Sequence, residues 1–381
     1  MARTIRPSLT GIPMSAMPTS GPARVSAHVP VPALVELTAA MFSAAKVPAA
    51  DARYAARSLI TADCEGIGSH GVMLVPMYVD RLLAGSIAPL ANIATVHDGG
   101  AAIVLDAHNC LGQISAQASV RLLLERGKRH GLASVAVRNG FHFGTAGYWA
   151  RQIAAEGLVA MVMSNTRPLM PPPGGSERIV GNNPLALAVP TASGPALITD
   201  MAMSATAMGR VRLAQSAGQA IPDGWAADET GQPTTDPVAA IKGMLLPAAG
   251  PKGFGLAVLI DLLCGGLSGG AIAGEVKPLY GDAAQPYGCA HFFLAIDPRA
   301  FGVETTFPAR VDQFADTIRS ARRAAGTERL YAPGDLEAAR REQNHEACPV
   351  PADVLTSLTA CATRLGVAAA IIERVTCVTP A

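Results

Sequence analysis

The sequence predicts an α/β fold with a helical segment at each end. Three observations carry that expectation. From about residue 101, short apolar runs alternate with stretches of helical periodicity, the pattern of strands and helices packed in layers. The apolar run 132–138 leads into Gly140-Phe-His142-Phe-Gly144-Thr-Ala-Gly147 and then into a helix-compatible stretch, 148–156. That is a strand, a glycine-rich turn and a helix start. Residues 31–83, and the tail from Arg310, carry helical patterns instead.

Taken in order, the first 25 residues contain Arg3 and Arg6, but Pro and Ser interrupt any apolar stretch. They read as a flexible extension and not as a signal peptide. A first helix is expected over 31–45. Asp51 is placed to cap a second, running to about Ile60. Ser69 is placed to cap a third, from His70 towards Leu83, kinked at Pro76 and stopped at Gly85. Strands are expected at 102–106, 133–138, 159–164, 185–189, 196–200 and 291–297. Helices fit 115–130, 146–156 and 254–267. The spans 168–190 and 218–251 are rich in Gly and Pro and read as loops. On this reading residues 26–100 and 305–381 form a mainly helical domain, and residues 101–304 an α/β domain.

Composition excludes several classes. The chain of 381 residues is 50% hydrophobic and 15% charged, with formal net charge +1, which leaves no basic footprint for nucleic acid. No apolar run is long enough to span a membrane. Seven cysteines without a C-x-x-C pair argue against a disulfide framework or a zinc cluster and fit a reducing cytoplasm. His97 and His108 are isolated, so no metal is expected, and no G-x-S-x-G elbow is present.

Five places are candidates for chemistry. In Ser69-His70-Gly71 the imidazole is a general acid or base and the hydroxyl its partner; alternatively Ser69 merely caps a helix. The turn 140–147 offers backbone N–H groups to a phosphate at a helix start, or is a tight turn with His142 on the surface. Its spacing is not the G-x-G-x-x-G of a Rossmann site. Arg167, in a loop after an apolar strand, suits a carboxylate through its planar fork, or is a surface arginine on a rigid proline loop. Asp200 ends another strand, where it meets a ribose or a histidine, or caps the next element. Lys252-Gly253 opens a helix, a position where a lysine often faces an anion and often faces only water.

Together these segments resemble the malate/L-lactate dehydrogenase family of the L-sulfolactate dehydrogenase-like type, which includes ureidoglycolate dehydrogenase, diketogulonate reductase and the Δ1-piperideine-2-carboxylate/Δ1-pyrroline-2-carboxylate reductases. The matching stretches are Ser69-His-Gly-Val72 with Tyr78 and Arg81-Leu-Leu-Ala-Gly85; Arg138-Asn-Gly-Phe-His142-Phe-Gly144 with Gly147-Tyr148; Pro172-Pro-Gly-Gly175; Gly181-Asn-Asn-Pro184; Asp200-Met-Ala-Met-Ser204; Ile221-Pro-Asp-Gly-Trp225; Pro233-Thr-Thr-Asp-Pro237; and Pro251-Lys-Gly-Phe-Gly-Leu256. They run in the family's order from about residue 30 to 345. The resemblance implies a non-Rossmann NAD(P)-binding α/β fold, a helical domain from both termini, and a cytoplasmic homodimer. It implies hydride transfer between NAD or NADP and a small 2-oxo acid, or a cyclic 2-imino acid. A nucleotide-binding member without turnover is the rival. His70 is then the proton donor with Ser69 beside it and Asp200 as the acidic neighbour. His142, Phe143, Gly144, Thr145, Ala146, Asp200, Met201, Ala202, Lys252, Gly253, Gly334 and Asp335 fall where relatives touch the cofactor.

Two positions depart from the family. Relatives usually carry arginine four residues after the histidine, one helical turn on, to grip the substrate carboxylate; here that residue is Leu74. Losing such a contact costs roughly 2–5 kcal/mol if nothing replaces it. Arg167, where relatives usually have a small residue, is the expected replacement, with Asn182 as a further hydrogen-bonding partner of the substrate. Arg210 stands where some imine reductases carry an aspartate, and an arginine cannot accept a proton.

Overall fold

The computed structural model describes residues 26–376, so the extension expected over residues 1–25 lies outside it. The chain opens with strand β1 (Ser26–Pro30) and helices α1 (Val31–Ala44), α2 (Ala49–Cys64) and α3 (Val75–Ala84). The sheet region comes next as β2 (Ala94–Asp98), β3 (Ala102–Asp106), α4 (Gly112–His130), β4 (Leu132–Gly140), α5 (Ala146–Ala155), β5 (Val159–Ser164), β6 (Leu185–Val189) and β7 (Leu197–Met201). Beyond it lie α6 (Met208–Ser216), β8 (Ala226–Ala227), β9 (Pro233–Thr234), α7 (Pro237–Lys242), β10 (Met244–Leu245), α8 (Pro251–Asp261) and β11 (Cys289–Ile296). The chain closes with α9 (Thr306–Ser320), α10 (Asp335–Gln343), β12 (Ala347–Pro351), α11 (Ala352–Arg364) and α12 (Ala369–Thr376).

Seven strands form one sheet in the order β2-β3-β4-β11-β5-β6-β7. Only β3 and β4 run parallel; the other neighbours are antiparallel. The late strand β11 enters at the centre, between β4 and β5. Both faces of this sheet are covered, which is why its central strands read as near-continuous apolar runs. On one face Leu105, Val135 and Phe293 pack against Leu123, Trp149 and Ile153 of α4 and α5. On the other, Ala136, Met163 and Phe292 meet Val211, Ala240 and Ile260 of α6, α7 and α8. A third apolar cluster joins both ends of the chain: Leu34, Phe42, Leu59 and Tyr78 pack with Leu358 and Val375. The antiparallel pair β1–β12 ties the same ends by backbone bonds.

Local differences from the sequence reading have physical reasons. Helix α2 starts two residues before Asp51, which lies in its first turn and does not cap it. The expected helix from His70 begins instead at Val75, after two short 3₁₀ turns, Gly68–His70 and Val72–Leu74. Ser69 caps nothing. Pro76 falls in the first turn of α3, where a missing N–H costs nothing, so it starts the helix and does not kink it. The helix expected over 254–267 is α8, continued past Asp261 by one wider π-type turn, Leu262–Gly266. The edge strand β2 is not legible in the sequence because most of its residues are exposed and show no alternation.

Candidate active site

A cavity of about 860 Å³ opens between the helical layers and the β7 edge of the sheet. Ser69, His70, Leu74, Arg167, Asn182, Gly334, residues 142–146 and residues 200–202 all line it.

The turn carrying His70 is held from beneath by Asp63, near the C-terminal end of α2. The Asp63 carboxyl accepts the Val72 N–H at 2.7 Å. It lies so close to Gly71 that a Cβ there would sit 2.0 Å from Oδ1. Only glycine permits that approach. Burial pushes the Asp63 carboxyl up to about 7. The Ser69 hydroxyl lies 2.9 Å from His70 Nδ1.

His70 faces a second imidazole. Its ring stacks on that of His142 with centroids 5.4 Å apart and 29° between planes. The Tyr78 hydroxyl lies 2.6 Å from His142 Nδ1 and 3.0 Å from the His142 carbonyl, and Gln113 Nε2 donates to that hydroxyl at 3.3 Å. The Gly144 N–H donates to His142 Nδ1 at 3.3 Å. A backbone N–H only donates, so Nδ1 is an acceptor and the neutral ring carries its proton on Nε2. Burial, with the His70 and His291 rings nearby, holds His142 well below the ordinary imidazole range. Burial lowers His70 in the same direction.

The turn after His142 leads into α5. Gly144 adopts φ +85° with open space beside it, a conformation that favours glycine. Trp149 Nε1 donates to the Phe143 carbonyl at 3.0 Å and locks the turn. Thr145 gives α5 no side-chain cap, and the N–H groups of Thr145 and Ala146 have no backbone acceptor among the described residues. Gly147 N–H is taken by Asp200 Oδ2 at 2.7 Å. Burial, with Glu65 and Glu337 nearby, pushes Asp200 up to about 6. The free N–H groups at a helix start, a positive-φ glycine and a cavity of this volume fit a dinucleotide phosphate.

The α5 side of the cavity extends past β7 to the turn before α10. There the Ile198 N–H donates to the Pro333 carbonyl at 3.1 Å. Glu65, buried, forms ion pairs with Arg151 and with Arg341, the latter at 2.7 Å. All three line the cavity. Sequence reasoning does not single out Glu65 or Tyr78 for chemistry. No motif marks Glu65, and only its neighbours across the fold bring it to the site.

Three expected cofactor residues are not brought to this cavity. Asp335 pairs with Arg319 at 2.7 Å and accepts the Ala332 N–H at 2.8 Å, so its carboxylate shapes the turn. Lys252 is exposed in the first turn of α8, and Gly253 is buried against the Ala248 carbonyl. Arg210 is exposed on α6 and does not line the cavity.

At the opposite end sits Arg167. Its backbone is fixed because the neighbouring Thr166 N–H donates to Asn183 Oδ1 at 2.9 Å and the Thr166 hydroxyl donates to Asn182 Oδ1 at 2.9 Å. The Arg167 guanidinium makes no hydrogen bond or ion pair among the described residues. Burial lowers its basicity, and the cations Arg178 and Arg212 add to the effect. Leu74, 1% exposed, supplies an apolar wall.

No group of three or more His, Cys, Asp or Glu among the described residues is placed to hold a metal ion. No helix among them is long and apolar enough to cross a membrane.

Comparison with known proteins agrees with the fold. The family model described as malate/L-lactate dehydrogenase matches residues 29–359. A malate dehydrogenase of Pyrococcus abyssi is 36% identical over 329 residues, 84% of this chain and 90% of that protein. The solved structure of sulfolactate dehydrogenase from Methanocaldococcus jannaschii superposes with a TM-score of 0.84 at 31% identity, covering 89% of this chain and 97% of that one. Δ1-piperideine-2-carboxylate reductase from Pseudomonas syringae gives a TM-score of 0.79 at 29% identity, covering 88% and 99%. The chain is an NAD(P)-dependent oxidoreductase belonging to the malate/L-lactate dehydrogenase family.

Proposed function

We propose that the chain transfers hydride between a nicotinamide dinucleotide and C2 of a small 2-oxo acid, forming the L-2-hydroxy acid. One observation carries this reading: the His70–His142 pair, the open start of α5 and the unpaired Arg167 share one cavity. The backbone N–H groups of Thr145 and Ala146 would hold the cofactor phosphates. Asp200 and Glu337 would meet its ribose hydroxyls. When bound, the cofactor supplies the hydride.

The chain's own residues do the rest. Hydride arrival at C2 leaves negative charge on the carbonyl oxygen, which needs a proton or a donor. His142 is the more strongly depressed of the two rings, so it stays neutral and donates its Nε2–H. His70 is the ring that carries the mobile proton, with Ser69 fixing its Nδ1 side. Arg167 binds the carboxylate beside the reacting carbonyl, in place of the cation missing at Leu74. A cyclic 2-imino acid is the second substrate to test, because one relative of this fold is named as a reductase of such a compound.

Following NADH and NADPH oxidation tests the reading. The panel holds pyruvate, oxaloacetate, 2-oxoglutarate, an aromatic oxo acid and the two cyclic imino acids, with His70→Ala, His142→Ala and Arg167→Ala alongside. Turnover on an oxo acid that both histidine variants lose supports it. Unchanged kcat and KM in Arg167→Ala would remove the clamp. Tight cofactor binding with no turnover on any substrate would mean a nucleotide-binding protein without this activity.

Assembly as a homodimer belongs to the same reading. Helix α8 and the turn that follows it carry apolar residues on two faces. Gly253, Ala257 and Ile260 face the core, yet Leu256, Leu259, Leu262 and Leu267 are about half exposed. An exposed apolar face of this kind is stable when it is covered, and a second copy covers it. Light scattering on the wild type and on Leu259→Lys checks it. The six described cysteines are free and buried, which supports a reducing, cytoplasmic setting.

A further inference from the structure

The loop that leads into β11 reaches the cavity as a separate unit. Residues 277–287 leave the body of the chain and return to it, with the Lys277 N–H donating to the Tyr287 carbonyl at 3.1 Å. Ω-type loops of this kind have their ends close together and frequently serve function. Tyr280 and most of the residues up to Pro286 are exposed, while Leu279, Tyr280 and Tyr287 line the cavity.

One side chain from elsewhere holds this loop. Arg81, in the last turn of α3, is 1% exposed and uses all five of its N–H donors. On one limb, Nη2 donates to the Pro278 carbonyl at 3.0 Å, and Nε and Nη2 donate to the Leu279 carbonyl at 3.1 and 3.0 Å. On the other limb, Nη1 donates to the Gln285 carbonyl at 2.7 Å. The remaining bond runs from Nη1 to the Ser86 hydroxyl at 3.3 Å. The guanidinium therefore staples both limbs to α3. Among the described residues, 278–286 make no other hydrogen bond outside the loop.

The same residue fixes where the loop stands relative to the reacting groups. Arg81 Cζ lies 5.9 Å from the centre of the Phe141 ring, and Tyr287 packs edge-on against that ring at 5.8 Å. Phe141 directly precedes His142. Sheet register brings in Arg167. Strands β4 and β5 both run antiparallel to β11, with Gly140 opposite Cys289 and Ser164 opposite His291. Their C-terminal ends therefore flank the start of β11, two strand spacings or roughly 10 Å apart. His142 follows the first end, Arg167 follows the second, and the loop enters β11 between them. The β7 edge, with Asp200, lies two strands further on.

We propose that the loop 277–287 is the wall that confines the substrate between His142 and Arg167, and that Arg81 is the positioning residue that sets this wall. The proposal rests on the reductase reading above and adds a part to it. Arg81 does not line the cavity, so it acts only through the loop. A lysine keeps the charge but offers its three donors from one point and cannot span both limbs.

Hydrogen exchange and calorimetry test this without turnover, with oxamate as a non-reducible analogue of a 2-oxo acid. In the wild type, oxamate added to the NADH-loaded enzyme should slow amide exchange across 279–285 about tenfold, and NADH alone should not. Arg81→Lys should speed exchange of the same amides about tenfold. It should also weaken oxamate about tenfold and leave the NADH dissociation constant within about twofold. A wild-type loop that exchanges at one rate with and without bound oxamate would overturn the wall, whether or not the variant folds, and leave the reductase reading standing. Unchanged loop exchange in Arg81→Lys would overturn the assignment to this residue. Equal losses of oxamate and NADH affinity would make Arg81 a purely structural residue and overturn it as well. Oxamate that fails to bind, together with a silent substrate panel, would overturn the reductase reading and this proposal with it.

Discussion

Asp63→Asn isolates a buried carboxyl that sits directly under the turn carrying His70. Asp63 is 6% exposed, and burial raises it from 3.8 to about 7. Between those values the folded protein binds more protons than the unfolded chain. Its contribution to stability is therefore complete below pH 3.8 and is lost as pH rises through about 7. Integrating the linkage between pH 5 and pH 8 gives a loss of roughly 2–3 kcal/mol from this one group. The lowered histidines His70, His142 and His291 act in the opposite direction, because they destabilise as pH falls. Asparagine has the shape of the protonated acid, still accepts from Val72 and does not titrate. Subtracting the variant from the wild type cancels the histidines and leaves Asp63. Urea unfolding of both proteins across this range should show the variant gaining on the wild type by about that amount. A difference that stays flat with pH would refute the buried-carboxyl reasoning.

Three further perturbations probe the same scaffold. Gly71→Ala places a methyl 2.0 Å from the Asp63 carboxyl, so the turn carrying His70 must move; kcat should fall about tenfold or more while NADH affinity is retained. Glu65→Gln leaves Arg151 and Arg341 uncompensated beside the cavity, and urea unfolding should report a loss approaching about 3–5 kcal/mol. Tyr78→Phe removes the hydroxyl beside His142 Nδ1, and the pH–rate profile should shift while the fold, read by circular dichroism, is kept.

Much of the sheet is legible along the chain. The strands at 102–106, 159–164 and 185–189 stand at the bounds read from apolar runs, because a strand buried on both faces leaves an uninterrupted signature. The glycine-rich turn before α5 is legible for a similar reason, since glycine spacing reports backbone conformation directly. The start of α3 is not. Ser69 has the chemistry of a cap, but Asp63 captures the following Val72 N–H and turns the segment into two tight turns. Asp335 has the sequence context of a cofactor contact, yet Arg319, on another helix, takes its carboxylate.

The sequence by itself determined the fold class, the family and the residue types at the site, because apolar period, glycine placement and ordered motifs are properties of neighbours along the chain. Only the tertiary structure decided which groups act together. It stacked His70 on His142, which are far apart in sequence, and set the tautomer of the second through the Gly144 N–H. It matched Arg151 and Arg341 with Glu65 and left Arg167 and Arg212 without an acid. Burial and charge pairing depend on distances across the fold, and the order of residues does not contain those distances.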